Sequence, residues 1–120
     1  MAVDFKLEVY RLIRESPGAS RDFRFQNQLS DAAASVEACL AEGWHRYVAG
    51  EFVTFLRYSR ASLGEAERWL HDGVARRYFE PTTISSALDT ASRCGAAITN
   101  LRKSLEPFTK KGKGLTRIKP

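Results

Sequence analysis

The residues that come closest to a known chemical motif are Glu42 and His45. They have the Glu-x-x-His spacing with which helical bundles bind pairs of iron or manganese ions. Such a centre takes this pair from two helices and one further glutamate from each of the other two. The only other histidine, His71, follows Glu67 at four residues instead of three. We therefore predict no metal ion and no other cofactor, with Glu42 and His45 at the end of a helix.

Catalysis by a nucleophilic side chain has no recognisable residues in this sequence. No serine or cysteine lies in a nucleophile elbow, and two histidines are few to serve as general bases. Segment 111–114, Lys-Gly-Lys-Gly, lacks the spacing of a phosphate-binding loop. Cys39 and Cys94 are too few for a disulfide framework and lack the Cys-x-x-Cys spacing, so we expect both to be core thiols. The sequence predicts a protein that is not an enzyme.

Four helical segments must position the remaining side chains, because apolar residues recur at helical spacing and no stretch alternates as a strand does. The first segment stops at 16–20, and the second begins after Ser20, a residue type that favours the N-cap. Residues 43–50 interrupt the pattern, and Glu80-Pro81 forms the next break. The last segment ends at Glu106-Pro107. The sequence thus predicts an all-α fold, in which residues 1–106 form an up-and-down antiparallel four-helix bundle.

The third segment carries an apolar and small stripe that is wider than one core requires. Leu56 and every seventh residue to Leu70 form a heptad seam. A further row, Phe55, Ser62 and Trp69, runs beside it. Because a monomer would expose part of this stripe, we expect the row to lie in an oligomer interface.

The positive charge of the chain is concentrated after the bundle. The 120 residues have a formal net charge of +5, but residues 1–106 contain 14 basic and 14 acidic side chains. Residues 107–120, the basic tail, hold no acidic residue and five cations: Lys110, Lys111, Lys113, Arg117 and Lys119. A segment of glycines, prolines and cations is expected to be flexible and attracted to polyanions.

The topology also determines which charges share an end of the bundle. One end would gather six arginines: Arg11, Arg14, Arg21, Arg24, Arg76 and Arg77. The other end would hold His45, Arg46, Arg102, Lys103 and the basic tail. We predict that RNA or DNA binds to the five tail cations together with Arg46, Arg102 and Lys103. The alternative is that the basic tail only aids solubility and the bundle binds another protein through its apolar rows.

Neither a membrane span nor a signal sequence is apparent. No apolar run approaches the roughly 18 residues that a transmembrane helix needs, and the first six residues lack a charged region followed by an apolar one. We expect a cytoplasmic protein that does not bind a membrane.

Several segments resemble one bacterial four-helix-bundle family, first noticed as open reading frames in intervening sequences of 23S rRNA genes. Segment 40–43, Leu-Ala-Glu-Gly, followed by Arg46, looks like the Ala-Glu-Gly turn of that family with its downstream arginine. Segments 51–56 and 60–70 look like its third helix. The resemblance covers most of residues 4–106. Cys39 and Ala61 depart from the residues that are common in the family, Asn and Gly.

The resemblance implies a compact bundle that assembles as a ring-like homopentamer. It also implies that Glu42, Gly43 and Arg46 form a structural turn, with Glu42 and Arg46 paired at that turn or at a subunit contact. A related branch, the accessory variability determinant of diversity-generating retroelements, is a basic pentamer that binds nucleic acid and a reverse transcriptase. The expected partners are therefore further copies of the chain, RNA or DNA, and a reverse transcriptase or another nucleic-acid enzyme.

Overall fold

The computed structural model describes the backbone of residues 1–112 and the side chains of residues 1–109. This part of the chain forms five α-helices and no strand, so the all-α prediction is confirmed. Their bounds are Ala2–Glu15 for α1, Pro17–Arg21 for α2, Phe23–Arg46 for α3, Ala49–Ala75 for α4 and Pro81–Gly112 for α5. Within these residues, no helix has the length and apolar character needed to cross a membrane.

The break between α1 and α3 contains the one-turn helix α2, which the sequence pattern did not predict. The Ser16 hydroxyl caps this helix by accepting a hydrogen bond from the Ala19 amide at 3.2 Å. Ser20 is not the N-cap of the next helix, because its hydroxyl donates to the Ile13 carbonyl at 2.6 Å and so closes the end of α1. Asp22 caps α3 instead.

The connection between α3 and α4 is shorter than the sequence indicates. Instead of residues 43–50, it consists of Tyr47 and Val48 alone, and α3 ends where Tyr47 adopts a left-handed conformation with φ of 57°. The expected turn of Glu42, Gly43 and Arg46 therefore lies within the last turns of α3. Gly43 lies inside α3, where a Cβ would come within 2.8 Å of the Cβ of Phe55. This glycine allows two helices to approach closely and does not make a turn.

Helix α5 continues beyond the predicted end at Glu106, through Pro107 to Gly112. An X-Pro pair disfavours helical geometry without forbidding it, and proline removes only one backbone donor. The hydroxyl of Thr109 donates to the Glu106 carbonyl at 2.7 Å in this last part of the helix. The backbone of Lys110 and Lys111 belongs to α5, and residues 113–120 lie outside the described residues.

The four long helices contact one another in a closed order, with α1 beside α3 and α5, and α4 beside α3 and α5. Contacts between α3 and α4 show that the two run antiparallel. The Ser59 hydroxyl near the middle of α4 donates to the Val36 carbonyl at 2.7 Å, and Trp69 near its end contacts Phe25 at the start of α3. This arrangement brings the end of α1, the start of α3 and the end of α4 to one end of the molecule.

The core lies where the heptad seams of α4 and α5 face α1 and α3. Leu56, Leu63 and Leu70 have no exposed surface, and Ile84 and Ile98 are almost fully buried. Burying a side chain of this size contributes roughly 1.5–3 kcal/mol to folding. The seams therefore account for much of the packing that positions the charged ends.

Candidate nucleic-acid interface

Arg46 lies between two carboxylates at the end of α3. Its Nη2 donates to Oε1 of Glu42 at 2.7 Å, and its Nη1 lies 3.5 Å from Oε1 of Glu51 at the start of α4. Its guanidinium also lies 5.2 Å from the centroid of the Phe55 ring. Glu42 and Arg46 thus form an ion pair beside the connection between α3 and α4. The same contacts balance the charge that was expected to bind phosphate.

Arg102 is also paired, and Lys103 is the one body cation of the predicted set without a carboxylate partner among the described side chains. The Arg102 guanidinium donates to Glu106, whose carboxylate lies 3.6 Å from Nη2 of Arg57 as well. Of the tail cations, Lys110 and Lys111 have a described backbone only, and Lys113, Arg117 and Lys119 lie outside the described residues. Among the side chains that the structure describes at this end, Lys103 is thus the exposed and unpaired cation.

The Glu42 and His45 pair is not arranged as a metal site. Glu42 binds Arg46, and the ring of His45 lies edge-on to that of Tyr47, with 6.4 Å between centroids. Among the residues that the structure describes, no three His, Cys, Asp or Glu side chains are grouped so that they could hold a metal ion.

The row on α4 that was predicted to be an oligomer interface packs against α3 within the same chain. Phe55 lies against Gly43, the Ser62 hydroxyl donates to that of Ser35 at 2.9 Å, and the ring of Trp69 meets Phe25 edge-on at 5.8 Å. All three members of the row, Phe55, Ser62 and Trp69, are half-buried. Contacts with α3 therefore cover part of the wide stripe on α4. A contact of this row with a second copy of the chain stays a prediction.

An apolar groove that the sequence analysis missed lies between the start of α1, the end of α3 and the middle of α5. Its volume is about 510 Å³, and buried Cys94 and Ile98 line it. Trp44 and Leu101 also line it and are each 40 % exposed. Leu101 was the one residue of the groove that the sequence pattern could indicate, because it continues an apolar heptad seam of α5.

The two cysteines differ in their surroundings, and both are free thiols. Cys94 is buried, and burial raises the pKa of its thiol. Cys39 is half-buried, with its Sγ 3.6 Å from the hydroxyl oxygen of Ser35. The expectation of a core thiol is therefore confirmed for Cys94, whereas Cys39 lies at the margin of the core.

At the opposite end, the Asp22 carboxylate joins the start of α3 to the segment that follows α4. Its Oδ1 accepts from the Phe25 amide at 3.1 Å, and its Oδ2 accepts from the Tyr78 hydroxyl at 2.7 Å and from Nη1 of Arg76 at 3.0 Å. Nε of Arg76 also donates to Asp72 at 2.6 Å. The hydrogen bond from Tyr78, followed by the one from Phe25, holds the pKa of Asp22 below its usual value. Sequence reasoning did not find this network because residues 22–25 and 72–78 are far apart in the sequence and no spacing pattern links them.

The six arginines expected at this end fall into two groups. Arg11 lies 3.7 Å from Glu15, and Arg76 belongs to the Asp22 network. The others have exposed side chains with no carboxylate within 4 Å among the described residues: Arg14, Arg21, Arg24 and Arg77. Arg77 also has a left-handed backbone, with φ of 66°.

Comparison with known proteins gives one family match. The model of the family described as 23S rRNA-intervening sequence protein matches residues 1–100, which include α1 to α4 and most of α5. No curated protein and no solved structure matches the chain.

Proposed function

Because the chain belongs to the 23S rRNA-intervening sequence protein family, we propose that it is a non-enzymatic, oligomeric four-helix-bundle protein that binds RNA or DNA. The closed order of antiparallel contacts among α1, α3, α4 and α5 supports an up-and-down bundle. The related retroelement branch supports a variant of this role, in which the protein is an accessory scaffold for a reverse transcriptase. We expect it to act in the cytoplasm.

The observation that carries the proposal is the position of the unbalanced charge. Thr109 lies in one groove with Gly50 and Val53, at the start of α4, so the chain reaches the end of the bundle just before Lys110. All five cations of the basic tail follow that point, and no acidic residue accompanies them. Exposed Lys103 lies about two helical turns before Lys110 on α5. A neutral body followed in the sequence by five cations favours contact with a polyanion.

Assembly into a homopentamer would allow contacts that are weak in one chain to bind a polyanion tightly. A ring of five copies presents five basic tails to one polyanion, and linked contacts raise the effective concentration of each further one. The apolar groove lined by Trp44 and Leu101 supports self-association, because an isolated chain leaves this surface in water. We propose that a second copy of the chain covers it.

A binding titration at several salt concentrations tests the proposal. If the five tail cations contact phosphates of duplex DNA, the logarithm of the binding constant should fall with the logarithm of salt concentration at a slope of about −4 to −5. A chain truncated after Thr109 should bind more weakly, with most of this slope lost. An unchanged slope in the truncated chain would show that the basic tail does not contact the nucleic acid.

The second candidate is a protein-interaction module that binds no nucleic acid. The apolar groove favours it, since the same surface fits the apolar face of a partner helix. The titration separates the two, because this module predicts no appreciable binding of single- or double-stranded nucleic acid at either low or high salt.

A further inference from the structure

Unpaired arginines share one end of the bundle with an exposed phenylalanine, at the end opposite Thr109. Phe23, the first residue of α3, is 71 % exposed, the largest exposed fraction of any large apolar side chain that the structure describes. Arg21 and Arg24 flank it in the sequence, and both are exposed. Phe25, two residues on, is 1 % exposed. One phenylalanine thus anchors the start of α3 in the core, while the other presents its ring to solvent.

The cations without carboxylate partners are concentrated in the half of the molecule that contains this ring. Of the 14 lysines and arginines in residues 1–106, eight lie within 4 Å of a carboxylate in the described structure. Of the other six, Lys103 lies near the basic tail. The remaining five belong to the half of the molecule that contains Phe23: Arg14, Arg21, Arg24, Arg68 and Arg77.

Most acidic residues at this end take part in ion pairs, whereas Asp31 and Glu65, nearer the middle of the molecule, have none among the described residues. Glu15, Asp22 and Asp72 take part in ion pairs with Arg11 and Arg76. Glu80 is the one carboxylate near the end of α4 without an ion pair among the described residues. At this end of the molecule the cations outnumber the carboxylates, although residues 1–106 as a whole are neutral. The six arginines are Arg11, Arg14, Arg21, Arg24, Arg76 and Arg77, and the four carboxylates are Glu15, Asp22, Asp72 and Glu80.

The Asp22 network holds together the two chain segments that carry these residues. Because one carboxylate binds the Phe25 amide, the Tyr78 hydroxyl and the Arg76 guanidinium, residues 21–24 are fixed beside residues 76–78. Arg21, Phe23 and Arg24 therefore lie in one of two adjoining segments and Arg77 in the other. A surface that is already ordered loses less conformational entropy when a ligand binds.

This combination of groups fits a single-stranded polynucleotide. Arginine guanidinium groups bind phosphate oxygens in a fork geometry, and an exposed aromatic ring stacks on a base. The bases of a duplex are stacked on one another, so their faces cannot reach the ring. An acidic peptide would use the arginines but would leave the role of the exposed ring unexplained.

We infer that the surface formed by Arg21, Phe23, Arg24 and Arg77 binds single-stranded RNA or DNA, with one base stacked on Phe23 and the neighbouring phosphates on the arginines. The inference rests on the proposed function and deepens it, since it adds a second site, at the other end of the bundle from the basic tail. The two sites differ, because the tail cations interact only with the charge of the phosphates, whereas Phe23 stacks on a base.

Fluorescence anisotropy with the full-length chain tests this site. The probes are labelled oligo-uridine, the matching oligo-deoxythymidine and a duplex of the same length. Phe23→Leu keeps an apolar side chain but removes the ring, and we expect it to weaken single-strand binding roughly 5- to 100-fold. Phe23→Tyr keeps the ring and should bind as the unchanged chain does. Tyr58→Leu, which removes a 55 % exposed ring from α4, is the matched control and should have no effect.

The arginines have a separate readout in the salt dependence. The double substitution of Arg21→Gln with Arg24→Gln should reduce the slope for single strands by about 1 to 1.5, since each phosphate contact contributes about 0.7. Arg93→Gln removes one exposed arginine from α5 and should change the slope little. Because Arg21, Phe23 and Arg24 are exposed, thermal unfolding of the variants should match that of the unchanged chain.

Three results would overturn the inference. Equal single-strand binding by the unchanged chain and by Phe23→Leu would show that the ring is not used, and the proposed function would stand on the basic tail. Binding of poly-glutamate but of no single strand would identify an acidic peptide as the occupant. No binding of any nucleic acid by the full-length chain would end both the inference and the proposed function.

Discussion

A single carboxylate, Asp22, determines how one end of the molecule is held together. It caps α3 and joins the segment after α4 through Arg76 and Tyr78. The Asp22 carboxylate is only half-buried, and three donors satisfy its oxygens. The support beneath Phe23 and the arginines therefore depends on the ionisation of one side chain.

The ionised form of Asp22 should contribute to stability at neutral pH and not at strongly acidic pH. Its pKa is lowered in the folded chain, chiefly by the Tyr78 hydroxyl, so the contribution is present above the ordinary value of 3.8 and is lost as pH falls through the lowered value. We expect Asp22→Asn to lower the thermal midpoint at pH 7, and the difference to close below pH 3.8. Asparagine also caps helices, so the change reports the charge.

The control for this experiment is Asp31→Asn on the exposed side of α3. Asp31 has no ion pair among the described residues, and its substitution should leave the thermal midpoint unchanged at both pH values. A difference for Asp22→Asn that persists undiminished at low pH would contradict the assignment to the carboxylate.

Arg77 occupies a backbone position that favours glycine. It follows the end of α4 with φ of 66°, and the Tyr78 amide donates back to the Gly73 carbonyl at 2.8 Å, as in a Schellman motif. Arg77→Gly should raise the free energy of unfolding by roughly 0.5–1 kcal/mol in a urea titration, because glycine adopts this conformation without a Cβ penalty. The same variant should bind single strands more weakly. A loss of stability would show that the arginine makes a contact that outweighs its strain.

At the scale of elements, glycines set the distance between helices. A Cβ on Gly73 would lie 2.5 Å from Cδ2 of Phe79 and 2.9 Å from Cζ of Phe25, both buried rings. The end of α4 can therefore approach the start of α3 and the segment before α5 only because this residue has no side chain.

Gly73→Ala should destabilise the protein, by about 1–3 kcal/mol in urea unfolding, since the ring of Phe79 cannot move without disturbing the core. Gly64→Ala is the matched substitution in the same helix. A Cβ there would meet only Nη1 of Arg60, at 3.7 Å, so the gain in helix propensity should stabilise the protein by up to about 1 kcal/mol. Equal effects of the two substitutions would contradict this account of α4.

Heptad periodicity predicted the buried seams of α4 and α5, because the spacing of Leu56, Leu63 and Leu70 follows directly from helical geometry. The single turn of α2 and the passage of α5 through Pro107 could not be predicted in this way. Both depend on individual hydrogen bonds, such as those of Ser16 and Thr109, which leave no periodic signal.

The candidate sites were less predictable than the fold. Which cations lie at each end follows from topology, but whether a cation has a partner depends on side-chain geometry. Arg46 and Arg102 were expected to bind phosphate, and each is paired with a glutamate. Phe23 had no distinguishing pattern, since an apolar residue at the start of a helix is usually buried.

At the scale of the whole molecule, self-association is the most direct test of the proposed ring. A pentamer of 13.5 kDa chains has a mass of about 68 kDa, which light scattering with size exclusion measures directly. Leu101→Lys places a charge in the apolar groove and should dissociate the assembly. Leu7→Lys changes a 55 % exposed side chain on α1 outside the groove and should leave it intact. A monomeric unchanged chain would contradict the ring.

The position of α1 between α3 and α5 affects the order in which the molecule can be completed during synthesis. Glu8 accepts a hydrogen bond from Thr90 at 2.9 Å, across 82 residues of sequence. A ribosome adds about 5–20 residues per second, so α1 waits roughly 5–20 s after its own synthesis for the last helix to emerge. During that interval one side of α1 faces solvent or another molecule, so this helix is open to premature association.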